Sequence, residues 1–166
     1  MVGTHTGLAV GEDGPSAQMI VDIAYMRAMP NMIVVQPADW EETVQATRAL
    51  IDYEGPAYFR LGRPKVKAIF DSSYKFEIGK GRVVKKGSDL VIFATGIMVQ
   101  ESLKAMEMLE KENINVTLVN ISPLNPIDRD LITEMAASHK AVITAEDHNY
   151  IGGLGDAVGE VLLDAQ

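Results

Sequence analysis

His5 and Asp13 stand eight positions apart in the stretch THTGLAVGEDGPSAQ at positions 4–18. Such a stretch offers an imidazole, a carboxylate and the free amides of a helix start. Together these could surround a polar ligand whose hydroxyl and phosphate oxygens need donors and an acceptor. The spacing does not suggest metal ligation. A second reading is local: glycines at 3, 7, 11 and 14 supply turn geometry, and Asp13-Gly14-Pro15 forms a turn into a helix whose start favours acidic residues. The stretch FRLGRPKVK at 59–67 is the dense basic segment of the first half, where only Arg27 and Arg48 precede it. Arginine suits bidentate phosphate contacts, and Arg60 sits inside an apparent strand whose end is a usual place for such ligands. Arg63, Lys65 and Lys67 follow; for the two lysines a solvated linker cluster explains the pattern at least as well. In AEDHNYIGGLG at 145–155, acidic residues and His148 precede Gly152, Gly153 and Gly155. This turn could make an anion site, but close helix-to-sheet packing or an interface needs the same glycines. His139, late in a helical pattern, suits a helix-end charge.

The elements that must position these residues alternate. PSAQMIVDIAYMRAM, starting at Pro15 and stopped by Pro30, puts Met19, Ile20, Ile23 and Ala24 on one helical face. Met32–Val35 reads as a short buried strand, and Asp39-Trp40-Glu41-Glu42 as a capping box. The stripe Val44, Thr47, Leu50 and Ile51 then runs to Gly55-Pro56, and Ala57–Leu61 is another strand. Residues 64–77 break every periodicity and read as a linker. Beyond them, strands at 89–96, 115–122 and 141–147 alternate with helices carrying Val99, Leu103, Met106 and Leu109, then Asp128–Ser138, then the glycine-opened last helix. Pro123 and Pro126 mark a loop. The expected class is α/β with parallel sheets covered by helices: residues 1–63, a linker at 64–77, and residues 78–166. Two convincing strands in the first half and no strand after the last helix make both ends read as cut short. A three-stranded parallel core with open edges would be marginal and liable to pair with another chain.

Composition excludes whole classes. The 166 residues carry a formal charge of -8, which argues against a nucleic-acid partner. No cysteine is present, which removes disulfides, thiolate zinc sites and cysteine nucleophiles. No apolar run approaches a membrane span, and the start lacks the pattern of a secretion signal, so a cytoplasmic protein is expected.

The opening loop, DIAYMRAMPNMIVVQPADWEE, FRLGR and EDHNYIGGLGDAVGEVL occur together in the order of the transketolase family, and nearly the whole chain resembles the C-terminal half of those enzymes. It looks most like the separate C-terminal subunit of split transketolases. Deoxyxylulose-phosphate synthase and the pyruvate dehydrogenase beta subunit share the architecture with less similar signatures. The resemblance implies a partial thiamine-diphosphate pyrimidine-binding domain followed by an incomplete transketolase C-terminal domain. It implies transfer of a two-carbon ketol unit between sugar phosphates of the pentose phosphate pathway, with thiamine diphosphate and a divalent metal such as magnesium. The cofactor's thiazolium absorbs the carbanion left by carbon-carbon cleavage. The cofactor-binding groups belong to segments not in this chain, so an N-terminal subunit or segment, in a homodimer or heterotetramer, is the implied partner. By the match, His5 would contact the sugar phosphate near the cofactor, Asp13 would accept a substrate hydroxyl, and Arg60, with Arg63 a weaker match, would bind the substrate phosphate. The family's loop ends Gly-Pro-Ser/Thr-His-Gln, whereas Ala17 replaces that histidine here. Alanine neither donates to a hydroxyl nor helps proton transfer, which bears on acceptor handling and substrate choice. The competing expectations are a non-catalytic dimerisation or regulatory module and a gene fragment.

Overall fold

The computed structural model describes residues 1–165. Two mostly parallel sheets form, each of four strands. The first takes β1 (Val2–Gly3), β2 (Ile33–Val35) and β3 (Ala57–Arg60) from the first half, in the order β1-β3-β2. All three residues of β2 are buried, which is why an uninterrupted β-branched run suits it. The second takes β4 (Arg82–Lys85), β5 (Leu90–Ala94), β6 (Val116–Asn120) and β8 (Ala141–Ala145), in the order β4-β6-β5-β8. Strand β5 runs parallel to β6 and β8, while β4 pairs antiparallel with β6 at the edge.

The expected loop at Pro123–Pro126 contains a strand. Residues Pro123–Asn125 form β7, which leaves the second sheet and pairs antiparallel with β2, with Asn125 Nδ2 donating to Met32 O at 2.6 Å. The second half therefore lends the first sheet its fourth strand. The Pro-rich composition concealed it because proline cannot donate to a ladder and is tolerated only at edges. Strand β4 escaped the sequence reading for a related reason: its flanking charges look like a loop but also suit an edge strand. The three-stranded core expected from the sequence is thus corrected to a four-stranded sheet.

The helices are α1 (Asp22–Arg27), α2 (Trp40–Ile51), α3 (Ile97–Lys111), α4 (Arg129–Ser138) and α5 (Leu154–Asp164). Helix α1 is far shorter than the periodicity predicted, and Met19 is exposed rather than packed on a helical face. Competing hydrogen bonds take the preceding backbone: Gly7 N and Arg60 Nη2 donate to Met19 O, and Asn149 N donates to Ile20 O. In α2 the capping box forms with one shift. Asp39 Oδ1 accepts from Glu42 N at 2.9 Å, but Glu42 reaches back to Ala38 N rather than to the cap residue. The predicted apolar stripe of α2 also turns out differently. Glu42 and Ala46 face inward, while Thr47 and Ile51 are exposed and line an apolar groove with Met1, Val2, Leu50 and Phe59 beside the unpaired edge of β1.

Residues 64–77 hold no helix or strand but are tied down at several points. Ile69 N and Phe70 N both donate to Asp39 Oδ2, Phe70 and Tyr74 stack at 4.1 Å, and Tyr74 and Phe76 are buried. One core serves both halves: Ile23, Val34 and Tyr58 pack in a single cluster with Phe93, Val119, Ile121, Leu154 and Val158.

Candidate functional site

The opening loop lies over the carboxyl ends of β1 and β3. Thr6 is buried and donates through Oγ1 to Leu61 O at 3.2 Å, and Gly7 N donates to Met19 O at 2.8 Å. A 3-10 turn, Leu8–Val10, follows. Its first two amides are capped from the other half of the chain: Leu8 N donates to Asp147 Oδ1 at 2.8 Å and Ala9 N to Asp147 Oδ2 at 3.1 Å. Gly7 carries φ 80°, and a Cβ there would fall inside the contact distance of the Asp147 carboxylate. Gly7→Ala is therefore expected to cost about 2 kcal/mol or more, from backbone strain plus displaced capping. A urea unfolding midpoint equal to wild type would sink that expectation.

The four sequence-predicted residues occupy different positions. His5 is exposed with φ 60°, and its Nδ1 lies 3.0 Å from Thr4 Oγ1. Asp13 and Arg63 meet: Arg63 Nη1 donates to Asp13 Oδ2 at 2.6 Å and to Val10 O at 2.7 Å, while Nη2 reaches Glu12 at 3.3 Å. Arg63 thus ties down the loop tip, beside an open cleft lined by Ala9, Val10, Gly11, Glu12, Arg63 and Pro64. Arg60 lies beneath the loop and is fully buried. Its Nε donates to Asp22 Oδ2 at 2.8 Å, and its Nη2 to Asp147 O at 3.0 Å and Met19 O at 3.2 Å, while Nη1 has no partner among the described residues. Ala17 is exposed on the same loop.

Sequence reading missed the acidic partners. Asp22 also accepts from Tyr58 Oη at 2.7 Å; burial, reinforced by that bond, pushes the Tyr58 hydroxyl well above its ordinary range. Nothing in the spacing links Asp22 to Arg60, 38 positions away. The segment Glu146-Asp147-His148 joins the halves. Glu146 caps α5 by accepting from Leu154 N and Gly155 N. His148, with a fully buried side chain, accepts from Ile23 N at Nε2, and its Nδ1 lies 2.6 Å from Asn149 O. Arg27 donates to the carbonyls of Gly152 and Gly153. Here the glycine-rich turn serves packing between the halves. His139 ends α4, its Nδ1 lying 2.7 Å from Met135 O. Among the described residues no group of three or more His, Asp or Glu is placed to hold a metal ion.

Two family models match. The transketolase pyrimidine-binding domain covers residues 1–68, and the transketolase C-terminal domain covers residues 79–166. The chain belongs to the transketolase family. A Methanocaldococcus jannaschii protein named "Putative transketolase C-terminal section" is 44% identical over 164 residues, which are 98% of this chain and 51% of that protein. Human transketolase is 34% identical, aligned over 98% of this chain and 27% of its own length. A solved structure described as "Split gene transketolase, inactive beta4 tetramer" superposes with a TM-score of 0.90 at 45% identity, covering 98% of this chain and 52% of that one. A Pichia stipitis transketolase mutant superposes at 0.77 with 25% identity, over 91% of this chain and 23% of its own. The chain therefore spans about half or less of the length of these transketolase relatives.

Proposed function

We propose that this chain is the substrate-side component of a cytoplasmic transketolase, moving a two-carbon ketol unit between sugar phosphates with thiamine diphosphate and magnesium. The observation that carries the reading is the opening loop, held over the ends of β1 and β3 with His5 and Asp13 on it and Arg60 directly below. In this reading exposed His5 contacts the sugar phosphate, and Asp13 accepts a hydroxyl through the oxygen that Arg63 leaves free. Arg60 presents its unpartnered Nη1 to the phosphate once the loop uncovers it. In this reading the cofactor and its ion are held elsewhere in the assembly. An N-terminal subunit or segment supplies them, in a homodimer or heterotetramer. The apolar groove beside the open β1 edge, with Met1, Val2 and Ile51 exposed, supports such a partner. The matched structure described as an inactive tetramer of a split-gene transketolase supports dependence on another subunit. No described helix is long and apolar enough to cross a membrane.

The isolated chain is expected neither to bind thiamine diphosphate in calorimetry nor to transfer ketol units, whereas the assembled enzyme does both. Ketol transfer by the pure chain would overturn this. His5→Asn is the cleaner substitution because asparagine tolerates the left-handed backbone that His5 occupies. In the assembly it should lower kcat/KM about 10- to 100-fold. The second reading, a non-catalytic module, is favoured by exposed Ala17 in the loop, and it predicts no turnover in any assembly.

A further inference from the structure

We propose that Asp147 is a positioning residue through which the C-terminal half sets the geometry of the substrate loop. The proposal rests on the ketol-transfer reading above. Two consecutive carboxylates, Glu146 and Asp147, face different ways. Each spends both oxygens on two successive backbone amides: Glu146 on Leu154 and Gly155 of α5, Asp147 on Leu8 and Ala9 of the loop, 139 and 138 positions away. With both oxygens taken by amides, the largely buried Asp147 carboxylate is not placed to act as an acid or base. It satisfies the orphan donors of the 3-10 turn Leu8–Val10, which lies between His5 and Asp13. Its main-chain carbonyl meanwhile accepts from Arg60 Nη2 at 3.0 Å. One residue of the second half thus holds both the loop and the arginine beneath it. The close approach is enforced by Gly7, where any side chain would displace the carboxylate. The arrangement assigns a role in the reaction to a half of the chain with no other placed candidate residue.

Glu146→Gln is the matched control, since it disturbs the same segment and the same number of amides without touching the loop. In Asp147→Asn one oxygen becomes an amide that faces a backbone donor. Backbone amide exchange, followed by NMR in the full chain, should accelerate about tenfold or more at Leu8 and Ala9 in Asp147→Asn and stay near wild type there in Glu146→Gln. In the assembled enzyme, KM for the sugar phosphate should rise about tenfold in Asp147→Asn with kcat changed far less, and Glu146→Gln should leave KM near wild type. Unchanged exchange at Leu8 and Ala9, a uniform rise across the whole chain, or an equal KM change in both variants would each overturn the proposal. If wild-type assemblies transfer no ketol unit, the enzyme reading fails by itself, and the exchange comparison still decides whether Asp147 sets the loop.

Discussion

Replacing Glu42 with alanine is expected to remove about 3–5 kcal/mol of stability, because three donors from separate parts of the chain would be left buried and unpaired. Glu42 is fully buried. Its Oε1 accepts from Tyr74 Oη at 2.6 Å and from Asn120 Nδ2 at 2.8 Å, and its Oε2 accepts from Ala38 N at 2.7 Å and from Asn120 Nδ2 at 2.9 Å. Tyr74 comes from the segment between the halves and Asn120 from β6, so one carboxyl joins α2, that segment and the second sheet. Domains of this size are stable by only about 5–15 kcal/mol, so the loss would be a large share of the total. Urea unfolding of the variant checks the figure; a change below about 1 kcal/mol would mean that water satisfies the three donors.

The same group sets a pH dependence. Burial raises the Glu42 carboxyl above its ordinary value despite the lowering effect of its hydrogen bonds. Between the ordinary and the raised value the folded chain keeps a proton that the unfolded chain has released. This contribution to stability is therefore fully present below the ordinary value and falls as pH rises through the window. Glu42→Gln lacks that titration, so its stability deficit relative to wild type should narrow as pH rises above the ordinary glutamate value of 4.5. A deficit that widens over that range would contradict the assignment.

Asp22→Ala is the second large effect, with an expected cost of about 3–5 kcal/mol, because it leaves the Arg60 guanidinium charged, buried and without its counter-ion. The pair is 0% and 5% exposed at the side chains, and Asp22 also holds the Tyr58 hydroxyl. A double-mutant cycle separates loss of the pair from loss of packing. Arg60→Met made in the Asp22→Ala background should cost clearly less than Arg60→Met made in wild type, since the first substitution has already broken the ion pair. Additive costs would show that the two side chains act independently. The cycle also bears on function. A stability loss at Arg60 would imitate a loss of phosphate binding, so exposed His5 is the better position for testing catalysis.

The residues establish a good deal without coordinates. Strand-helix alternation, the β-branched run at 33–35, the apolar run at 90–94, and the Asp39 cap are short-range patterns, and each forms where its local chemistry predicts. The order of the loop, the arginine strand and the glycine-opened helix was enough to indicate the family, because each of those stretches is an unbroken run of residues. Tertiary structure decided what local pattern cannot encode. Helix α1 loses its first turns because loop amides, Arg60 and Asn149 capture the Met19 and Ile20 carbonyls. On α2 the deepest positions are Glu42 and Ala46 rather than the predicted stripe, because Glu42 finds buried donors on distant segments, while Leu50 still packs against the core. Arg60 read as a strand residue suited to phosphate, and nothing local showed that Asp22, 38 positions away, would be its buried partner. Asp147 looked like part of an acidic turn and instead caps the amides of Leu8 and Ala9 across the whole chain. Periodicity reports which face of an element is apolar, whereas the partner of a buried charge is set by which segments the sheets bring together, and that pairing leaves no trace in sequence spacing.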